Sequence, residues 1–149
     1  MRDFEPHDTV GIVILNSKSE ILVMYHNKIG KWSLPVGKTE EGEDPKDAII
    51  REMKEELGIT VCPKLLKNKE MEYSLDGKSM TSMFYLFMAE SYDGNIDNIE
   101  SDKHREIKFM SPDELYINGI KKNISEMTKL LLDDNITMNM IIASHYNKK

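Results

Sequence analysis

Three glutamates, Glu52, Glu55 and Glu56, are spaced so that they can share one face of a helix. At 100° per residue their side chains fall within an arc of about 100°, together with the small Ala48, whereas the larger apolar residues Ile50, Met53 and Leu57 point to a separate side. Carboxylates at these spacings repel one another, and no residue on this face is expected to neutralise them. Mg²⁺ would relieve the repulsion, because it takes carboxylate oxygens and shares its shell with water and substrate phosphates. The spacing therefore indicates a metal site for phosphate chemistry, and the ordinary alternative is a solvated acidic face.

The wider pattern around the glutamates favours the metal site. In order, the pattern is Gly, five residues, Glu, seven residues, Arg-Glu, an apolar residue, any residue, Glu-Glu, any residue, Gly and an apolar residue. The residues at the specified positions are Gly37, Glu43, Arg51, Glu52, Met53, Glu55, Glu56, Gly58 and Ile59. At ordinary residue frequencies, a chance match in a chain of this length is on the order of one in ten million. The pattern resembles the Nudix box of the Nudix hydrolase superfamily, and no specified position is missing.

The resemblance implies a fold and an activity. The fold would be the Nudix-type α/β/α sandwich with a mixed β-sheet, in the α/β class. The activity would be Mg²⁺- or Mn²⁺-dependent hydrolysis of a nucleoside diphosphate linked to another moiety, with a small nucleotide as the partner. Residues outside the box look most like the MutT type, which converts a nucleoside triphosphate to the monophosphate and pyrophosphate; an oxidised nucleotide such as 8-oxo-dGTP is one candidate. The alternatives are a dinucleoside polyphosphate or nucleotide-sugar hydrolase and a non-catalytic nucleotide-sensing domain.

The resemblance also assigns metal ligands by position. Glu55 and Glu56 match metal ligands of the family, and Glu52 matches a ligand or a base that orients water. A backbone carbonyl at Val36 or Gly37 would be a further ligand. Many members have two glycines at this point, so we expect Val36 to keep the site by adopting an extended conformation, because valine resists positive φ.

Residues near the metal ligands receive supporting roles from the same resemblance. Arg51 would pair with Glu43 and brace the loop, so that a structural pair is also the functional one. Lys38 matches a lysine near the phosphates, and a solvated loop lysine is the alternative. Asn118 and Asn123 lie where relatives that bind oxidised purine nucleotides place a base-reading asparagine, although helix N-capping is the ordinary interpretation of both.

A further carboxylate is expected downstream of the box. The stretch that ends in Ser-Pro-Asp-Glu-Leu resembles a family segment in which a glutamate, here Glu106, faces the metals as a ligand or general base. A solvated strand glutamate is the alternative, and Asp102 and Glu100 in the preceding loop are rival candidates. We expect His26 and His104 to be structural.

The elements that position these residues carry local signals. Asp44 is the expected N-cap of the box helix, with Pro45 at its first position and Gly58 as its left-handed stop. Upstream, Val10–Leu15 is a continuous apolar run that predicts a buried strand, and Ile21–Tyr25 is the predicted returning strand of a hairpin.

Further strands and a second helix are predicted after the box. Lys69–Leu75 and Met80–Glu90 are predicted strands around an Asp76-Gly77 turn. Glu106–Met110 is the predicted last strand. Apolar residues at helical spacing predict one helix over Ile120–Asp133, which the run Asn135–Tyr146 extends or follows.

Length and composition limit the class of protein. A chain of 149 residues predicts one domain, spanning 1–149. The single cysteine, Cys62, fits a reducing compartment and is expected to be buried. We expect a cytoplasmic protein, monomeric or homodimeric, because no signal peptide or membrane span is visible. The formal charge of −6 argues against binding of long nucleic acid, but not against a nucleotide held through a metal.

Overall fold

The computed structural model describes residues 7–121 and 123–147, and gives the backbone alone at residues 73, 75 and 118–121. The strands are β1 (Thr9–Val13), β2 (Ile21–His26), β3 (Lys31–Ser33), β4 (Val36–Lys38), β5 (Thr60–Leu75), β6 (Lys78–Asp93) and β7 (His104–Met110). The helices are α1 (Pro45–Leu57), α2 (Pro112–Lys121), α3 (Glu126–Leu132) and α4 (Asn135–Asn147). None of the helices in this described part is long and apolar enough to cross a bilayer.

The strands form two sheets between two helical layers. One sheet has the order β4-β1-β6-β5, in which β1 and β6 are parallel, and the other has the order β3-β2-β7 and is antiparallel. Side chains alternate along β1, so that Ile12 packs with the apolar face of α1 while Val13 packs with residues of α2, α3 and α4. The predicted α/β class, mixed sheet and α/β/α sandwich are confirmed.

The predicted hairpin of the first two strands is wrong. β1 pairs with β4 and β6, whereas β2 pairs with β3 and β7, and only an isolated bridge between Leu15 and Ile21 connects the two segments. Both strands are almost completely buried over their apolar runs. A strand that is covered on both faces favours a central position with a neighbour on each side, and here each strand takes that position in its own sheet.

The second predicted hairpin is confirmed and is longer than expected. β5 and β6 pair along 16 residues each, around a turn in which Asp76 and Gly77 have φ values of 51° and 78°. Two left-handed residues in a two-residue loop match the right-handed twist of the strands. Cys62, on β5, is exposed, so its predicted burial is wrong.

The C-terminal region is divided more finely than predicted. The expected helix over Ile120–Asp133 is broken, because α2 ends at Lys121 and α3 begins after Ser125. The Ser125 side chain accepts a hydrogen bond from the Thr128 amide, which caps a new helix at this point. The following run forms the separate helix α4.

Candidate active site

Helix α1 is fixed at both ends by the predicted signals. The Asp44 side chain accepts a hydrogen bond from the Lys46 amide at 2.9 Å, and Pro45 occupies the first turn. Gly58 ends the helix with φ 73°, and its amide donates to the Lys54 carbonyl. The helix therefore holds its glutamates on a rigid element next to β4 and β1.

A cavity of about 850 Å³ opens beside this helix. Its volume lies within the range typical of small-molecule sites. Acidic and basic side chains meet in it: its charged lining residues are Glu40, Glu52, Glu55, Glu56, Glu100, Glu126, Lys28, Lys31, Lys38, Lys103 and Arg51, and His26 and His104 complete its ionisable groups. The apolar part of the lining includes Ile29, Val36, Phe84 and Met127.

Arg51 connects the helix to the loop that precedes it. Its Nε and Nη2 donate to the two carboxylate oxygens of Glu43 at 2.9 and 3.0 Å, and Nη2 also donates to the Lys38 carbonyl at 2.9 Å. This bidentate pair holds the pKa of Glu43 below its usual value, mainly through the Arg51 hydrogen bonds. The structure thus contains the Arg51–Glu43 pair that the sequence predicted.

Arg51 also lies closer to the helix glutamates than expected. Its Nη1 donates to Glu52 at 2.9 Å and to Glu55 at 3.1 Å. The expectation that nothing neutralises the acidic face is therefore wrong for these two carboxylates, because one guanidinium spans both. The Nη1 atom of Arg51 donates no hydrogen bond to Glu56, which is more buried than Glu52 and Glu55.

Glu56 is buried, with 5% of its surface exposed, so the alternative of a solvated acidic face does not describe it. Its Oε1 has no hydrogen-bond partner among the residues that the structure describes. Burial raises the pKa of the Glu56 carboxyl to about 9, with further contributions from the charges of Glu52 and Glu100. Burial also raises the pKa of Glu52. A buried carboxyl oxygen without a hydrogen-bond partner is costly, and a bound cation would remove that cost.

Gly37 lets the backbone of β4 approach Glu52. A Cβ added at Gly37 would overlap the Glu52 side chain. The backbone of Gly37 does not occupy the left-handed region, so the glycine serves close approach and not an unusual φ. Val36 lies in the same strand and is extended, as expected. The main chain of both proposed carbonyl ligands therefore runs along the cavity, beside a helix carboxylate.

His104 is a site residue that the sequence analysis did not identify. It is 4% exposed, lines the cavity and, together with Glu56 and Glu100, offers ligand atoms that lie within 4.8 Å of one another. Its ring meets that of His26 edge to face at 5.3 Å. Burial, followed by the charge of His26, lowers the pKa of His104. The sequence signal that could have identified His104 was its spacing of four residues from Glu100, because a tight turn over these residues brings the two side chains close together.

Glu100 is the downstream carboxylate that the structure brings to the cavity. Glu106 pairs with Tyr25 across β7 and β2, is exposed, and does not line the cavity. Asp102 is exposed as well, and its carbonyl accepts a hydrogen bond from Asn27. Simple alternation would put His104 and Glu106 on one face of β7, but the register of β7 against β2 shifts between the Tyr25–Glu106 and His26–His104 pairs, and this bulge separates the two side chains.

The structure does not place either predicted base-reading asparagine among the described residues that line the cavity. Asn123 is exposed, does not line the cavity, and uses its carbonyl to accept a hydrogen bond from the Trp32 amide at 3.0 Å. The side chain of Asn118 lies outside the described residues. Lys38, by contrast, lines the cavity next to Gly37.

The chain was compared with known proteins. Residues 5–131 match the model of the NUDIX domain family. The chain is 34% identical over 93 residues to the uncharacterized Nudix hydrolase YvcI of Bacillus subtilis, covering 60% of this chain and 59% of that protein. It is 30% identical over 114 residues to the RNA pyrophosphohydrolase of Ruthia magnifica subsp. Calyptogena magnifica, covering 67% of this chain and 62% of that protein. The matches therefore span about three fifths of these relatives.

A similar solved structure is the crystal structure of the MutT NUDIX hydrolase from Burkholderia pseudomallei. The two superpose with a TM-score of 0.71 at 24% sequence identity, over 85% of this chain and 95% of the other. At this identity the likeness concerns the fold.

Proposed function

This chain belongs to the NUDIX domain family, and we propose that it is a divalent-cation-dependent hydrolase of nucleoside diphosphates linked to another group. The observation that carries the proposal is the buried carboxyl of Glu56, whose Oε1 has no partner among the described residues, in a cavity lined by both acids and lysines. Acids of this kind hold cations, and lysines attract phosphate oxygens. A phosphoanhydride substrate fits both features, because its phosphate oxygens bind a metal cation and are attracted by lysines.

The residues of the cavity fit Mg²⁺ or Mn²⁺. Glu52, Glu55 and Glu56 would hold the cation together with a main-chain carbonyl of Val36 or Gly37, because hard cations prefer oxygen ligands. The unpartnered Oε1 of Glu56 and the close approach of Glu52 to Gly37 agree with this donor set. When bound, the cation neutralises phosphate charge and makes a water more acidic.

Lysines provide the phosphate contacts in this proposal. Lys28, Lys38 and Lys103 all line the cavity, and after burial their charges lower the pKa of His26. Arg51 is unsuited to this role, because its guanidinium is held by Glu43 and the Lys38 carbonyl. We assign Lys38 to the phosphates, as predicted, and add Lys28 and Lys103.

Two carboxylates are suited to orient and deprotonate the attacking water. Glu52 is held in place by Arg51 and lies against Gly37, so its orientation is fixed before substrate binds. Glu100 lines the cavity from the loop before β7. Its position supports Glu100, and not Glu106 or Asp102, as the additional carboxylate.

We propose a nucleoside triphosphate as the substrate, with the nucleoside monophosphate and pyrophosphate as products. The ionic groups of the cavity suit a polyphosphate, whereas the predicted base reader Asn123 is exposed and is not among the residues that line the cavity. We therefore expect little base preference, less than about tenfold in kcat/KM among common triphosphates, which corresponds to about 1.4 kcal/mol.

A substrate panel tests this proposal. The value of kcat/KM would be measured with Mg²⁺ for the four deoxynucleoside triphosphates, 8-oxo-dGTP, ADP-ribose, diadenosine polyphosphates and 5′-triphosphorylated RNA, and the products would be identified. Release of pyrophosphate and monophosphate from the triphosphates, absent in Glu56→Gln, supports the proposal. A hundredfold preference for ADP-ribose, a dinucleotide or RNA would replace the triphosphate assignment, and no turnover of any substrate would contradict the hydrolase proposal.

A further inference from the structure

We infer that Glu56, Glu100 and His104 form a mixed oxygen and nitrogen cation subsite at the inner end of the cavity, suited to Mn²⁺ more than to Mg²⁺. The inference deepens the proposed function, because Glu56 is shared with the carboxylates of α1. Each of the three residues offers a ligand atom, and the three atoms lie within 4.8 Å of one another. Metal–ligand bonds of about 2.0–2.3 Å allow donors on a common ion to lie up to about 4.6 Å apart, so the three atoms are close to the separation that a shared ion requires.

Several buried polar atoms around Glu56 and His104 have no hydrogen-bond partner among the described residues. Glu56 and His104 are each more than nine-tenths buried, and Oε1 of the former and Nδ1 of the latter lack a hydrogen-bond partner within residues 7–121 and 123–147. Two further such atoms belong to His26, whose ring contacts His104, and to Asn98, whose amide donates to the His104 carbonyl. Native proteins satisfy most buried polar atoms, so their concentration here indicates a ligand of the site.

The backbone holds the two loop-side donors together. The amides of Lys103 and His104 both donate to the Glu100 carbonyl, at 2.8 and 3.1 Å, and close a tight turn between the two ligands. Asn98 fixes the other end of this turn through its 2.7 Å hydrogen bond to the His104 carbonyl. The Lys103 ammonium pairs with Glu100 at 3.3 Å but is exposed, so it can leave for solvent when a cation binds. The geometry of the subsite is therefore set by the protein before an ion arrives.

The chemistry of the donors selects the ion. A neutral imidazole is a good ligand for borderline transition metals, whereas Mg²⁺ prefers oxygen ligands and keeps its waters. His104 lies beside Glu56 and Glu100, and its Nδ1 has no hydrogen-bond partner within the described part of the chain. One nitrogen and two carboxylates thus favour Mn²⁺ over Mg²⁺, in contrast to the all-oxygen set of Glu52 and Glu55.

Pulsed electron paramagnetic resonance of Mn²⁺ bound to the full chain, without nucleotide, tests the subsite directly. We expect ¹⁴N modulation from a coordinated imidazole, which changes to the ¹⁵N frequency when the histidines are labelled with ¹⁵N. His104→Gln should abolish the modulation and weaken Mn²⁺ binding about tenfold or more. The same variant should change Mg²⁺ affinity, measured by competition, by less than about twofold.

His26→Gln is the matched control, since it alters the neighbouring ring without removing a proposed ligand, and it should retain the modulation. Absence of nitrogen modulation in the unaltered protein, its persistence in His104→Gln, or equal weakening of Mn²⁺ and Mg²⁺ binding would overturn the subsite. The wild-type spectrum decides the question even if His104→Gln does not fold. The resonance experiment involves no substrate turnover, so its outcome is independent of the activity assay. If the protein hydrolyses nucleotides with Mg²⁺ but gives no nitrogen signal with Mn²⁺, the subsite is rejected and the proposed function stands.

Discussion

The residue that most clearly separates this site from an acidic surface patch is Glu56. Its neighbours on α1, Glu52 and Glu55, share the Arg51 guanidinium, whereas Glu56 lies buried with one oxygen unpartnered. Helical spacing predicted that the three carboxylates share a face, but spacing carries no information about depth. Glu100 and His104 add to Glu56 from outside the box, so the site depends on residues that are distant in sequence.

Removing the Glu56 charge should change how stability depends on pH. In the unfolded chain the carboxyl titrates near 4.5, and burial raises the pKa in the folded protein to about 9. The folded state therefore binds the extra proton between these values, and without divalent cations its stability should fall as pH rises toward 9. Melting temperatures between pH 7 and 9 in a chelator should decline for the wild type and stay nearly level for Glu56→Gln. Parallel slopes for the two proteins would contradict the burial argument.

Glu100 and Glu106 provide a matched pair for the additional carboxylate. Glu100→Gln should lower kcat by a factor of at least about ten, as expected for a group that acts on the transition state, whereas Glu106→Gln should lower it less than about threefold. The reason is position, since Glu100 lines the cavity and Glu106 is exposed on β7. The measurement is steady-state kinetics with saturating Mg²⁺. The reverse order of effects would return the role to Glu106.

At the scale of elements, predictions from cap and turn residues were confirmed, whereas the hairpin of the first two strands and the continuous helix over Ile120–Asp133 were not. The boundaries of α1 followed from its cap residues, and the β5–β6 turn followed from Asp76-Gly77, because such signals act within a few residues. The pairing of β1 with β6, instead of β2, depends on distant burial that no short pattern encodes. Glu100 was named only as a rival candidate and His104 as structural, because their convergence requires the fold of the loop before β7.

The contact between β4 and α1 yields a test of element packing. Gly37→Ala should reduce kcat at least about tenfold, because the new Cβ would displace Glu52 from its position. Gly42→Ala is the control, since a Cβ there has no neighbour within 4 Å and only the backbone at φ 75° is strained. The control should lower the melting temperature with little effect on kcat. Full activity of Gly37→Ala in a folded protein would show that Glu52 does not need this close approach.

At the scale of the whole molecule, both sheets contribute to one cavity. β4 belongs to the larger sheet and supplies Gly37 and Lys38, while His26 and His104 come from β2 and β7 of the smaller sheet. The formal charge of −6 describes the average surface, but the cavity combines carboxylates with lysines. The overall charge was the basis for predicting that the chain does not bind long nucleic acid, but it gave no indication of the lysines in the cavity. Oligomeric state and cytoplasmic location stay predictions.

Nucleotide turnover as a function of free Mg²⁺ tests the central claim most directly. Phosphate chemistry at this site should require a cation held in part by Glu56, so wild-type hydrolysis of a nucleoside triphosphate should stop in excess chelator and return when Mg²⁺ is restored. Glu56→Gln should stay folded, by circular dichroism, and lose most of the turnover at every Mg²⁺ concentration. Wild-type rates in excess chelator, or a Glu56→Gln variant as active as the wild type, would contradict the account.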